Sequence, residues 1–117
     1  MPDTISPPAP GALRACMSRF ATGVTVVTFE GDDGPRGATM NSFTSVSTDP
    51  PLVLISVAKR ARSHGQLTDR PFCVNVLGAE QEALARQFAG VQGAAEPRWT
   101  LGARVPRLLN PLAWVEC

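Results

Sequence analysis

The side chains best equipped for chemistry lie in two short stretches. Thr39, Asn41, Ser42, Thr44, Ser45, Ser47 and Thr48 form the densest run of hydroxyls and amides in the chain. Further on, Lys59, Arg60 and Arg62 stand beside the hydroxyl of Ser63. Short hydroxyls and amides donate and accept in little space, and a guanidinium fork matches phosphate oxygens. Together the stretches suit a ligand with many acceptors along one edge and a phosphate at one end. Each also has a plainer reading. The first can be a polar corner, its hydroxyls capping backbone groups and Asp49-Pro50-Pro51 turning the chain. The second can be a solvated turn after a strand.

Other candidates are weaker. His64 is the sole histidine, so it reads as a surface residue beside a charged turn, with contact to a phosphate or nicotinamide as the alternative. No second histidine or paired cysteine lies at metal-ligand spacing. Asp32 and Asp33 fall in a turn, and turn chemistry accounts for them. Gly-x-Gly-x-x-Gly and the Walker phosphate loop are both absent, which removes a Rossmann or NTPase reading. The three cysteines, Cys16, Cys73 and Cys117, are odd in number and widely spaced, so neither a zinc site nor a disulfide framework is expected. Cys73 lies in an apolar run and reads as a small core residue. Trp99 and Trp114 read as core or interface.

The 117 residues suffice for one domain with one core. A net charge of +1 without a block of like charge argues against nucleic acid or a polybasic membrane patch as partner. No apolar run reaches the length of a membrane helix, and residues 1–10 lack the features of a signal peptide. A cytoplasmic protein with reduced thiols is expected.

These side chains need elements to hold them. Residues 1–9 read as a disordered Pro-rich lead-in, and 10–117 as the domain. Leu13, Cys16, Met17 and Phe20 have helical spacing, predicting a helix over 10–20 with one face on a core. The β-branched run 24–29 predicts a first strand, 30–35 a turn, and 36–43 a second strand closing a hairpin. Residues 44–50 are expected to be loop. A strand over 52–58 is apolar enough to be buried on both faces, and Pro51 can only begin it. A short helix over 63–69 takes Ser63 as its N-cap. A strand over 71–77, a helix over 79–88, a Gly- and Ala-rich loop over 90–98 and a loop over 106–111 follow. A strand over 112–116 alternates in polarity and should pair with something after it.

Because the strand over 52–58 joins the two polar stretches, one mononucleotide-length ligand could touch both. A flavin fits this description. Its ring presents carbonyls and nitrogens along one edge, and backbone amides approach it where side chains are small.

The pattern 20–28, 36–47, 49–54 and 72–77, followed by Gln81, Leu84, Ala85 and Phe88, resembles the flavin reductase family with the FMN-binding split-barrel fold. The likeness runs from about Leu13 to Phe88. It implies a mainly β, Greek-key split barrel with short flanking helices, assembled as a homodimer. It also implies hydride transfer from NADH or NADPH to FMN or FAD, with the reduced flavin passed to a flavin-dependent monooxygenase. By motif position, Thr39, Met40, Asn41 and Ser42 would line the flavin ring. Ser45, Val46 and Ser47 would bond its edge and ribityl chain. Arg60, Arg62 and Ser63 would hold the phosphate, and Phe88 would close the pocket from the partner subunit. Family members continue into further strands and a Gly-Asp-His-type motif near the nicotinamide, so the domain is expected to be C-terminally incomplete with its last strands missing. A flavin-binding module without turnover, or an inactive fragment, is the alternative. A split-barrel oxidase acting on a phosphorylated vitamin ranks below both.

Overall fold

The computed structural model describes residues 9–117, so the expected lead-in lies outside the described residues except for its last position. The chain is mainly β, with three short helices. Helix α1 (Pro10–Met17) starts on a proline, whose missing N–H costs nothing in a first turn. It buries no residue, and Leu13, Met17 and the following Phe20 are more than half exposed. The expected packing of this face on a core is therefore corrected, because the described chain leaves it largely exposed.

Strands β1 (Thr25–Gly31) and β2 (Gly34–Met40) form the expected hairpin. Its turn is only Asp32-Asp33, and its one positive φ is at Gly34 (114°), where the missing Cβ makes that angle affordable. The expected loop over 44–50 is instead strand β3 (Thr44–Thr48), paired antiparallel with β4 (Pro51–Leu54) around a cis Asp49–Pro50 peptide. Alternating Thr44, Val46 and Thr48 favour this strand, and the serines between them masked the signal. Pro51 does begin β4, but the strand is not buried on both faces. Leu52 and Leu54 are half exposed, because the β3–β4 ladder has no third strand and little packed on its outer side.

Helix α2 (Arg62–Leu67) begins after Ala61, so Ser63 is inside it and not its cap. Strand β5 (Cys73–Val76) follows. Next come a 3₁₀ turn (Ala79–Gln81) and α3 (Glu82–Phe88), with Gln81 Oε1 accepting from the Gly78 N–H at 2.8 Å. The expected loop over 106–111 contains strand β7 (Pro106–Leu108), paired with β6 (Trp99–Leu101). Three-residue strands carry too few positions to show a period. Strand β8 (Ala113–Glu116) pairs with β5, which precedes it.

The main sheet has the order β2-β1-β5-β8, all antiparallel. Its central strand β1 is buried on both faces. Val27 and Phe29 join Val74 and Leu67 on one side, while Val26 joins Leu77 and Leu108 on the other. Asn75 ties the second side together. Its Nδ2 donates to the Val26 carbonyl and to Thr28 Oγ1, each at 2.9 Å, and its Oδ1 accepts from the Leu108 N–H at 3.0 Å. Thr28 then donates to the Pro106 carbonyl at 2.7 Å. Among the described residues the three sheets do not close into a barrel. Cys73 is in the core as expected, Trp99 is half-buried against it, and Trp114 is exposed.

Candidate functional site

The polar stretch occupies the end of β2, a crossover, and β3. Thr39 is half-buried, and its hydroxyl donates to the Ala85 carbonyl at 2.6 Å, fastening β2 to α3. Ser42 donates to the Ser56 carbonyl at 3.0 Å and accepts from the Ser56 N–H at 3.1 Å, which pins the crossover to the segment after β4. Two of the hydroxyls therefore do the structural work of the plainer reading. Met40 packs on the Val27–Phe29 core, and Asn41 is exposed.

β3 differs from a quiet hairpin strand. Its register slips between Ser45 and Ser47, so Val46 has no cross-strand partner. Bulges of this kind re-aim side chains and leave one residue's backbone outside the ladder. Ser45 and Val46 are exposed and Ser47 is half-buried. Since β3 belongs to a two-stranded sheet, its outer edge also presents unpaired backbone groups. Small hydroxyls beside free backbone amides are what an acceptor-rich ring edge requires. On this observation the residues fit a flavin.

Three of the remaining predicted residues meet in one place. Arg62 and Ser63 of α2 and Phe88 at the end of α3 line a cavity of about 560 Å³ together with Arg36, Gly37 and Gln66. Arg60 is exposed in the turn before α2 and does not line this cavity. Gly37 matters here. A Cβ added to it would lie 2.8 Å from two ring carbons of Phe88, so the bare strand position is what lets the ring lie on β2. Phe88 also meets Trp99 edge-on, with centroids 5.8 Å apart. Arg36, Gly37 and Gln66 were not among the predicted site residues. The glycine inside a strand was the available signal, since such a position marks close approach of another group. A second cavity, of about 420 Å³ between Glu30, Pro35 and the β6–β7 hairpin, contains none of the predicted residues. His64 is half-buried against Ile55, Val57 and Phe72, away from the arginine cavity.

The strongest electrostatic feature lies elsewhere. The Arg107 guanidinium, 2.8 Å from Glu116, and the N–H groups of Arg104 and Ala103 hold the Glu116 carboxyl down at about 2. Arg107 also lies over the Trp114 ring, 4.6 Å from its centroid. This cluster fastens β8 to the β6–β7 connection. Burial pushes the Cys73 thiol up to about 11, which disfavours its thiolate at neutral pH, and burial raises Cys117 as well. No group of three or more potential metal ligands occurs among the described residues.

Residues 17–117 match the model of the flavin reductase like domain. The chain belongs to this family. It is 48% identical over 114 residues to an NADH-dependent FAD reductase of Streptomyces globisporus, covering 90% of this chain and 62% of the relative. It is 38% identical over 109 residues to the NADH-dependent flavin reductase StyB of Pseudomonas fluorescens, covering 90% of this chain and 64% of that one. The chain thus spans less than two thirds of the length of these relatives. Among solved structures, flavin reductase PheA2 in its native state superposes with a TM-score of 0.87 at 32% identity, over 93% of this chain and 72% of that chain. The Streptomyces globisporus NADH:FAD oxidoreductase SgcE6, in complex with NAD and FAD fragments, superposes with a TM-score of 0.85 at 44% identity, over 99% of this chain and 73% of that one. The family assignment agrees with the resemblance read from the sequence, and the flavin reductase domain accounts for nearly all of the described chain.

Proposed function

We propose that this chain is the flavin-binding part of an NADH-dependent flavin reductase, which reduces FMN or FAD and passes the reduced flavin to a partner monooxygenase. The observation that carries the reading is the bulged, edge-exposed β3 with its short hydroxyls, in a chain 44% identical to an oxidoreductase solved with NAD and FAD fragments. When bound, the flavin supplies a two-electron acceptor for the hydride of NADH, which leaves as NAD⁺.

The protein's own residues bind and orient. Thr39, Met40, Asn41 and Ser42 form the wall beside the ring. Ser45, Val46 and Ser47 hold its edge and ribityl chain, where hydroxyls and backbone N–H groups favour negative charge developing on the ring. Arg62 and Ser63 anchor the phosphate, with Arg60 adding positive charge from the exposed turn before α2, which fixes the ring's position for approach of the nicotinamide. Phe88 closes the pocket. No side chain is needed as general acid or base, so the site is one of binding residues.

The same reading takes the β elements as a split barrel completed in a homodimer. The exposed apolar side chains of α1 and of the β3–β4 ladder, Leu13, Met17, Leu52 and Leu54, support a partner on those faces. The free thiols support a cytoplasmic setting. A flavin-binding module without turnover is the second reading. Mixing the protein with FMN and NADH and following nicotinamide absorbance separates the two. Steady loss of NADH supports the reductase, whereas flavin binding without NADH consumption leaves only the module.

A further inference from the structure

We propose that Arg36 and Gln66 act with Arg62 and Ser63 as one pocket for the phosphate group of a nucleotide. The identity of that nucleotide as a flavin rests on the function proposed above; the anion pocket stands on separate observations.

The first is charge. Two guanidinium groups, Arg36 from β2 and Arg62 from α2, line the same 560 Å³ cavity, and no Asp or Glu lines it. Neither cation is neutralised from within. Arg36 has Asp33 at 3.9 Å, on a side chain 88% exposed, and such surface pairs hold little. Arg62 takes part in none of the ion pairs among the described residues. A phosphate monoester or a diphosphate carries about two negative charges at neutral pH, and guanidinium forks suit its oxygens.

The second observation is Gln66. Its Oε1 is enclosed and has no hydrogen-bond partner. Enclosed polar atoms are nearly always paired, so an orphan marks the place of a missing group. The amide can turn over, which replaces this oxygen with an NH₂ bearing two donors. Gln66 lines the same cavity as both arginines, so a turned amide brings donors to an anion held there.

The third is how Arg36 reaches α2 from the far arm of the hairpin. A Cβ on Gly31 would lie 2.5 Å from Arg36 Cγ and 3.3 Å from Gln66 Oε1. The stem of Arg36 therefore runs over a bare glycine towards Gln66. Ser63 adds a hydroxyl on the same side. The cavity is larger than a phosphate, leaving room for the attached sugar or ribityl chain.

The test measures dissociation constants for FMN, FAD, riboflavin and ADP with the full chain and with Arg36→Ala, Arg36→Lys, Arg62→Ala and Gln66→Leu. Arg36→Ala is expected to weaken FMN about tenfold, the loss typical of one charge-assisted contact, and to leave riboflavin unchanged. Arg36→Lys should recover part of the loss, since it keeps the charge but not the fork. Gln66→Leu should weaken FMN while sparing riboflavin. Equal losses for FMN and FAD identify the phosphate they share, and losses for FAD and ADP alone identify the adenylate phosphate; both outcomes support the pocket. Unchanged FMN, FAD and ADP affinities in Arg36→Ala, or an equal loss for riboflavin, overturn it and leave the flavin reading in place. If the full chain binds no flavin, the flavin reading fails by itself and ADP decides the pocket. ADP binding sensitive to Arg36 supports it, and absent or insensitive binding overturns it.

Discussion

Gly37→Ala probes the contact on which the cavity wall depends. The added methyl would lie 2.8 Å from Cδ1 and Cε1 of Phe88 and 3.1 Å from Cγ1 of Val26. Carbon atoms in contact settle at about 3.5–4.0 Å, so the ring must retreat by roughly 0.7–1.2 Å. Val26 is fully buried in the central strand and has nowhere to go. Phe88 is half-buried at the last position of α3 and must absorb the shift, disturbing its edge contact with Trp99. Overpacking of this size costs about 1–3 kcal/mol. With a urea slope of about 1–3 kcal/mol/M for a small domain, the unfolding midpoint should fall by roughly 1 M. Phe88→Leu should relieve the clash, so the double variant should lose less than the sum of the singles, with a coupling of about 1 kcal/mol. Because Phe88 lines the arginine cavity, Gly37→Ala should also weaken flavin binding in protein that remains folded. An unchanged midpoint together with strict additivity would refute this account of why position 37 is glycine.

Three further outcomes rest on other contacts of the fold. Asn75→Ala removes two donated bonds and strands the buried Leu108 N–H, so equilibrium unfolding should show a loss of about 3 kcal/mol, and a loss below about 1 kcal/mol would contradict the network. Glu116 has its carboxyl lowered from 4.5 to about 2, so its contribution to stability is complete above 4.5 and fades as pH falls from there towards 2. Melting temperature against pH should therefore drop across that window and flatten there in Glu116→Gln; an identical profile in the variant would exclude Glu116 as its source. Ser45→Ala combined with Ser47→Ala should weaken flavin binding by about 1–3 kcal/mol in a titration, and an unchanged affinity in folded protein would reduce both serines to turn chemistry.

How much of this was legible beforehand varied with the kind of signal. The β1–β2 hairpin was, because a β-branched run and a Gly/Asp turn act over adjacent residues. The 79–88 helix was readable from Leu84 and Phe88 four apart. The β6–β7 hairpin was not, since its strands are three residues long and their pairing is a contact between segments. β3 was missed because its serines suit a loop as well as a strand, and only the ladder with β4 decides between them. The candidate site divides similarly. Ser45, Ser47, Arg62 and Ser63 announced themselves by type, whereas Arg36 and Gln66 did not, being thirty residues apart in the chain.

The sequence alone determined the class of this protein: mainly β, without a metal-ligand pattern, its polar and basic stretches ordered as in the flavin reductase family. Those properties are local or ordinal, and residue type and spacing express them. The tertiary structure alone decided what each polar group is free to do. Thr39 and Ser42 spend their hydroxyls on the Ala85 and Ser56 carbonyls, while the bulge leaves Val46 outside the ladder. Likewise, only folding brings Arg36 over Gly31 towards Gln66 and sets Phe88 on Gly37. A hydroxyl or guanidinium has the same chemistry wherever it stands, but its availability depends on which distant backbone reaches it first.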